Sequence, residues 1–256
     1  MASAIIKSAV SSKRVKPEDI SVFDINTDKY PAFKDIGVNC AETLEQACIA
    51  SDIILLAVKP QDYESVLLKI KPIIYDKKKI FISIAAAIST QYICKTLGAD
   101  FPVVRVMSNT PLLIGQGATA ISRNEFVDDK LYTKICGLFA SSGHVVSLDE
   151  SLMNVVISVN SSSPAYIYLL AKAMIDGATS QGIDYDLAKD LVYKTIKGSA
   201  EMLIASDMTP DELIKMVASP KGTTEAALNS FEKCDFCKTV ADAMNACTDR
   251  ANELAR

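Results

Sequence analysis

A short loop rich in hydroxyl groups, 219–224 (Ser-Pro-Lys-Gly-Thr-Thr), runs directly into an apolar helical stretch. Gly222 lets the backbone approach a ligand closely, and the first amides of a helix have no acceptor within the helix. With the hydroxyls of Ser219, Thr223 and Thr224, these amides form a site suited to an anion such as a small carboxylate. On residue types alone, Ser219 and Thr224 act more commonly as plain helix caps.

The residues on both sides of this loop carry a family pattern. Residues 209–213 (Thr-Pro-Asp-Glu-Leu), residues 217–224, then Ala227-Leu228 and Phe231-Glu232, resemble the C-terminal signature of the pyrroline-5-carboxylate reductase family. Lys221 departs from it, because the family usually has a small residue, most often glycine, at this position. Lys221 either adds a charge to the carboxylate site or points to solvent.

The resemblance implies an enzyme that reduces L-1-pyrroline-5-carboxylate to L-proline, the last step of proline biosynthesis. Hydride would pass from NADPH or NADH to the ring C=N carbon. Ser219 and the amides of Gly222 and Thr223 would hold the substrate carboxylate, while the catalytic Thr224 hydroxyl hydrogen-bonds the ring nitrogen. His144, the one histidine of the chain, lacks a partner to orient it and is interpreted as structural.

Composition excludes several other classes of protein. The net charge is -4, and the densest basic cluster is Lys77-Lys78-Lys79, interpreted as a solvated turn, so a nucleic-acid partner is not expected. No apolar run is long enough to span a bilayer and no signal peptide is present, so we expect a cytoplasmic protein. We expect the seven cysteines to be reduced; Cys234 and Cys237 form a CxxC but lack the further ligands of a metal site.

Residues 1–148 alternate between strand and helix patterns, which predicts a Rossmann-like doubly wound α/β domain with a largely parallel sheet. Apolar runs at 52–58, 79–84 and 102–107 indicate strands that are buried on both faces. A dinucleotide-binding domain opens with a strand and a glycine-rich turn, and neither is present here. We therefore expect that this sequence begins about ten residues late, with Met1 at the end of the family's turn.

Ligands of such sheets bind at the carboxyl ends of the strands. Three of these ends match the family in order and predict cofactor contacts at Ala57-Val58-Lys59-Pro60, Ala85-Ala86 and Asn109-Thr110-Pro111. Their small residues allow a nicotinamide or ribose to approach, although each alone is as compatible with close helix–strand packing. Asp24, at the end of the second strand of the fold, can accept a hydrogen bond from the adenosine ribose and would repel a 2'-phosphate. NADH should therefore serve at least as well as NADPH.

Residues 149–256 lack strand signals and predict five helices, two of them unusually apolar. Such helices expose more apolar surface than a small bundle can bury, which favours dimerisation. The family resemblance likewise implies an all-α dimerisation domain, a homodimer, and in some members a decamer. Two alternatives stay open: a reductase of another small cyclic imine or keto acid, and a non-catalytic helical dimer that binds no cofactor.

Overall fold

The structure, a computed structural model, describes residues 1–74 and 78–256. The predicted solvated turn at Lys77-Lys78-Lys79 lies partly outside the described residues, because Lys77 is not among them. The Lys79 ammonium donates hydrogen bonds to the carbonyls of Ile49 (3.2 Å) and Ser51 (2.7 Å). This lysine therefore holds the backbone of residues 49–51 and does not extend freely into solvent.

Contacts divide the described chain into two compact units. The first contains Met1–Ser162 and Cys247–Arg256, and the second contains Ser163–Ala246. Residues 149–162 belong to the first unit because Met153 and Ile157 pack in a cluster with Met107 and Ala120 of the sheet. The division into domains at residues 148 and 149, which the sequence predicts, stays a prediction.

The first unit alternates helices and strands. Its helices are α1 (Ala2–Ser11), α2 (Tyr30–Lys34), α3 (Leu44–Ala50), α4 (Tyr63–Ile70), α5 (Thr90–Leu97) and α6 (Asp129–Ala140). Its strands are β1 (Ser21–Val22), β2 (Asn39–Cys40), β3 (Ile53–Leu56), β4 (Ile80–Ser83), β5 (Val103–Met107), β6 (Gly117–Arg123) and β7 (Gly143–Ser147). Gly98 ends α5 in the left-handed conformation, φ 80°, as the sequence predicts.

The strands form two sheets. β1 and β2 pair in parallel, and a second sheet has the order β3-β4-β5-β6-β7. β3, β4 and β5 are mutually parallel, β6 runs antiparallel to β5, and β7 is parallel to β6. The carboxyl ends of β3, β4 and β5 therefore meet at one edge of the larger sheet.

Buried side chains cover both faces of the larger sheet. Adjacent strand residues point to opposite faces. Phe81 and Val103 accordingly pack in a cluster with α4 and α5, whereas Ile82 and Val104 pack in another with α1 and α6. The first unit is thus a doubly wound α/β domain, which confirms the predicted fold class.

The second unit is helical throughout its regular structure. It contains α7 (Ser163–Ser180), α8 (Tyr185–Ala205), α9 (Pro210–Val217), α10 (Thr223–Lys233) and the first part of α11 (Phe236–Glu253). The last helix begins at Phe236, shortly after α10 ends. Asp235 turns the chain in one residue by adopting a positive φ of 51°, so α11 starts immediately after it.

The helices of the second unit present apolar side chains on their surfaces. α7 and α8 pack through Ala171, Ile175, Ala188 and Val192. Outside this seam large apolar side chains are exposed, among them Leu169 at 68% and Ile204 at 85%. In the part of the chain that the structure describes, no helix is both long and apolar enough to cross a membrane.

Candidate functional site

Three loops that the sequence assigns to the cofactor follow neighbouring parallel strands. Residues 57–60 follow β3, residues 84–89 follow β4 and residues 108–111 follow β5. Ala57, Val58 and Lys59 are exposed, whereas Ala85 is buried and Ala86 is half-buried. The structure therefore brings the three predicted segments together at one edge of the first unit, with the smallest side chains in the middle loop.

The loop after β5 is fixed by side-chain amides. Asn109 is buried, and its Oδ1 accepts a hydrogen bond from the Ala118 amide at 3.0 Å. Asn160 donates to the carbonyls of Met107 (2.8 Å) and Ala118 (3.0 Å). The Asn109 side chain thus holds β6 beside the loop. Of the predicted cofactor residues here, Thr110 is the exposed one and Pro111 is half-buried.

Tyr63 of α4 joins the ends of two strands below this edge. Its hydroxyl donates to the Leu56 carbonyl (2.9 Å) and shares a hydrogen bond with the Ser83 hydroxyl (2.9 Å). The residue is fully buried at 0% exposure, and burial raises the pKa of the phenol to about 12. Sequence reasoning missed this residue, because an isolated tyrosine on an amphipathic helix is ordinarily part of the core.

Asp24 lines a cavity of about 540 Å³ at the carboxyl ends of β1 and β2. One carboxylate oxygen of Asp24 accepts from the Asn26 amide at 2.9 Å. Tyr30 ties the two strands together, since its hydroxyl accepts from the Asp24 amide (3.0 Å) and donates to the Ala41 carbonyl (3.1 Å). Glu42, which sequence reasoning missed, lines the same cavity and adds a second carboxylate.

The hydroxyl-rich loop lies in the second unit and forms a tight turn. The Gly222 amide donates to the Ser219 carbonyl at 3.0 Å. This Gly222 amide, predicted to bind the substrate carboxylate, is therefore used within the loop. The amides of Thr223 and Thr224, in the first turn of α10, have no acceptor among the described residues. These two amides are the donors that the loop leaves for an anion.

Lys221 adopts a left-handed backbone conformation with φ 59°. It is the third residue of the 219–222 turn, where a type II turn requires positive φ and favours glycine. This explains physically why glycine suits the position. A Cβ on Gly222, one residue later, would lie 2.5 Å from Ser219 Oγ, so the Gly222 backbone packs directly against a predicted ligand group.

Glu225 is a second charged group at this loop. Its Oε2 accepts a hydrogen bond from the Lys221 amide at 2.7 Å, which places a carboxylate beside the start of α10. Acidic residues in a first helical turn are favoured by the helix dipole. An anion bound by the amides of Thr223 and Thr224 would share this helix end with Glu225.

The remaining titratable candidates lie elsewhere. His144 is exposed on β7, and all seven cysteines are free thiols, with Cys234 and Cys237 exposed near the α10–α11 junction. Within residues 1–74 and 78–256, no group of three or more metal-ligating side chains is found.

A doubly wound sheet with candidate ligand loops at its carboxyl edge belongs to the class of folds that binds nucleotide cofactors. Residues 1–87 match the family model described as NADP oxidoreductase, coenzyme F420-dependent. Residues 150–254 match the model described as pyrroline-5-carboxylate reductase dimerisation, which supports oligomerisation through the helical region.

Individual proteins give the same result over the full length. The chain is 32% identical over 257 residues to the pyrroline-5-carboxylate reductase of Escherichia coli (strain K12), covering 100% of this chain and 95% of that protein. A pyrroline-5-carboxylate reductase structure from Coxiella burnetii matches with a TM-score of 0.91 at 30% identity, covering 100% of this chain and 95% of that one. The Plasmodium falciparum pyrroline carboxylate reductase, solved with NADP bound, matches with a TM-score of 0.90 at 30% identity, covering 99% and 94%. This chain belongs to the pyrroline-5-carboxylate reductase family, which confirms the resemblance seen in the sequence.

Proposed function

We propose that this chain reduces L-1-pyrroline-5-carboxylate to L-proline with NADH or NADPH, the last step of proline biosynthesis. One observation carries the proposal: the first turn of α10 and the loop before it offer unpaired amides and hydroxyls at the position of the family signature. A helix N-terminus of this kind suits a small carboxylate. Contacts to a carboxylate do not depend on the size of the ring that carries it, so another small cyclic imine or keto acid is the alternative substrate.

In this proposal the second unit positions the substrate. The Ser219 hydroxyl and the amides of Thr223 and Thr224 bind the carboxylate, and Gly222 keeps the backbone within reach of it. The Thr224 hydroxyl hydrogen-bonds the ring nitrogen and orients the C=N bond. Bound NADH or NADPH supplies the hydride. The remaining task of the chain is to hold the reacting carbon in place and to exclude water from it.

The cofactor would lie on the first unit, along the carboxyl edge of β3, β4 and β5. Small side chains at Ala57, Ala85 and Ala86 leave room for a flat ring and a ribose. We propose that NADH serves at least as well as NADPH, because Asp24 and Glu42 line one cavity. Two carboxylates can accept hydrogen bonds from a ribose 2'-hydroxyl, whereas a 2'-phosphate would be repelled.

We further propose a cytoplasmic homodimer formed through the helices of the second unit, with a decamer as the higher assembly. The exposed apolar side chains of α7 and α8 support this, since monomeric proteins rarely expose contiguous apolar surface of that kind. Sedimentation velocity across a range of protein concentrations measures the assembly. A monomer at micromolar concentration would contradict the proposal.

Replacing Thr224 tests the function directly. We expect Thr224→Ala to lower kcat/KM for pyrroline-5-carboxylate at least tenfold, the usual scale for a lost positioning hydrogen bond at about 1.4 kcal/mol per factor of ten. Ser230→Ala, an exposed hydroxyl on the same helix, is the matched control and should keep the full rate. Wild-type turnover by the Thr224→Ala protein would remove this hydroxyl from the mechanism. Turnover of a different cyclic imine in preference to pyrroline-5-carboxylate would favour the alternative substrate.

A further inference from the structure

The loop between β4 and α5 has a backbone conformation that needs support. It contains the predicted cofactor contacts Ala85 and Ala86, followed by Ala87 with φ 65°. Ala87 is 2% exposed and is not a glycine. Residues with a Cβ rarely adopt positive φ, and they keep it only where the surrounding structure enforces it.

Arg256, which is far from this loop in the sequence, provides the support. The Arg256 amide donates to the Ala87 carbonyl at 2.9 Å, and the Arg256 backbone oxygen accepts from the Ser89 amide at 2.9 Å. The Ser89 hydroxyl donates to the same backbone oxygen at 2.8 Å. Three hydrogen bonds thus join Arg256 to Ala87 and Ser89, which lie far away in the sequence, and all of them use the backbone of Arg256.

A second set of contacts holds the start of α5 and joins residues 150–154 to the end of α11. The Glu150 carboxylate accepts from the amide of Thr90 (2.7 Å) and from its hydroxyl, and it lies 3.8 Å from the buried guanidinium of Arg105. Arg105 donates to Asn154 Oδ1 at 2.6 Å, and Asn154 donates to Asn252 Oδ1 at 3.0 Å. Residues 150–154 and 252–256 are therefore bonded both to each other and to the region of the β4–α5 loop.

Apolar burial does not explain why residues 254–256 stay in place. Leu254 is 48% exposed, and Ala255 and Arg256 are exposed. The last buried side chain of α11 is Ala251, in the cluster with Met107. The backbone hydrogen bonds to the loop are therefore the principal contacts of this segment.

We propose that residues 254–256, here named the C-terminal strap, are a positioning element for the cofactor: they hold the Ala85–Ser89 loop in the conformation that the nicotinamide end requires. This rests on the proposed function, because Ala85 and Ala86 are cofactor contacts only within it. A site gains affinity when its loop is already ordered before binding, because ordering then costs nothing at the moment of association.

The test compares removal of the strap with removal of one of its side chains. A variant that ends at Glu253 loses the three hydrogen bonds to the loop. Arg256→Ala keeps that backbone and loses only the 3.9 Å ion pair with Glu64. We expect the shortened variant to raise the NADH dissociation constant about tenfold in a fluorescence titration, about 1.4 kcal/mol, and to speed hydrogen exchange of residues 85–89. Its KM for pyrroline-5-carboxylate should stay within twofold, and Arg256→Ala should match wild type throughout.

A milder variant covers the case in which shortening the chain impairs folding. Ser89→Ala removes one of the three hydrogen bonds, together with the bond that the Ser89 hydroxyl accepts from the Tyr92 amide at 3.0 Å at the start of α5. We expect it to raise the NADH dissociation constant two- to threefold. The proposed role of the C-terminal strap would be overturned if the shortened variant kept the wild-type NADH dissociation constant. It would also be overturned if the NADH dissociation constant and the KM for pyrroline-5-carboxylate rose by the same factor. If wild-type protein binds NADH but does not reduce pyrroline-5-carboxylate, only the proposed reaction is wrong. Wild-type protein that binds no NADH would overturn both.

Discussion

Tyr63 offers a sharp test of how the cofactor edge is supported. The phenylalanine substitution keeps the buried ring and deletes the hydroxyl that links the Leu56 carbonyl at the end of β3 with the Ser83 hydroxyl at the end of β4. Tyr92 of α5 is a matched control within the same core cluster. Its hydroxyl is buried but has no hydrogen-bond partner among the described residues.

The magnitude follows from the contacts. Leaving a buried partner unsatisfied costs about 1–3 kcal/mol, and Tyr63→Phe affects two partners while creating almost no cavity. We expect Tyr63→Phe to lower the free energy of unfolding by about 2 kcal/mol, and Tyr92→Phe to change it by less than about 0.5 kcal/mol. Urea denaturation at one fixed protein concentration measures both. Equal losses in the two variants, or no loss in Tyr63→Phe, would refute the reasoning.

The pH dependence of the same variant checks the burial of the phenol. An unfolded tyrosine has a pKa of about 10, whereas burial raises the pKa of Tyr63 to about 12. The unfolded state therefore loses its proton first, and the contribution to stability is complete below pH 10 and is lost progressively between pH 10 and 12. The stability difference between wild type and Tyr63→Phe should narrow from pH 8 to pH 11. A difference that stays constant over this range would contradict the inference.

Two further predictions concern the two predicted ligand regions. Lys221→Gly should raise the free energy of unfolding by about 0.5–1 kcal/mol, because glycine adopts the left-handed conformation without strain. Lys215→Gly, at an exposed position in the last turn of α9, should instead lower the free energy of unfolding, by up to about 1 kcal/mol. Urea denaturation that finds equal losses in the two variants would contradict the turn geometry. Asp24→Ser and Glu42→Gln should each raise the ratio of kcat/KM for NADPH to that for NADH by about fivefold, since one charge at about 4 Å in water contributes about 1 kcal/mol. Asp19→Asn, which changes an exposed carboxylate outside the cavity lining, should leave that ratio unchanged. If the ratio also stays unchanged in Asp24→Ser and Glu42→Gln, these two carboxylates do not determine which cofactor is preferred.

The sequence predicted the parts of the fold that depend on local patterns. Continuous apolar runs identified β3, β4 and β5 because such runs are needed where a sheet is buried on both faces. Gly98 ends α5 and the Thr209–Glu212 capping box begins α9, and both signals can be seen in the sequence because caps depend on residues only a few positions apart. The short strand β2 and helix α2 were not predicted, because two to five residues carry too little periodicity to identify them.

The features that the sequence did not reveal depend on backbone conformation or on contacts between residues far apart in the sequence. Lys221 does not look like the third residue of a type II turn, so the commitment of the Gly222 amide to Ser219 could not be foreseen. Glu150 and Arg256 lie far in sequence from the loop that they hold, and no local pattern signals those bonds. Glu42 joins Asp24 only because β1 and β2 pair in parallel.

The apolar surface of α7 and α8 also determines how this protein must be measured. If those side chains are covered only by association, folding and assembly share one equilibrium, and the apparent melting temperature depends on the molar amount of chain present. Dilution alone would then lower it, with no change in any residue. Variants of the helical unit are comparable only at matched concentrations, and a substitution that weakens association will register as an unfolding defect even where it breaks no bond within a single chain.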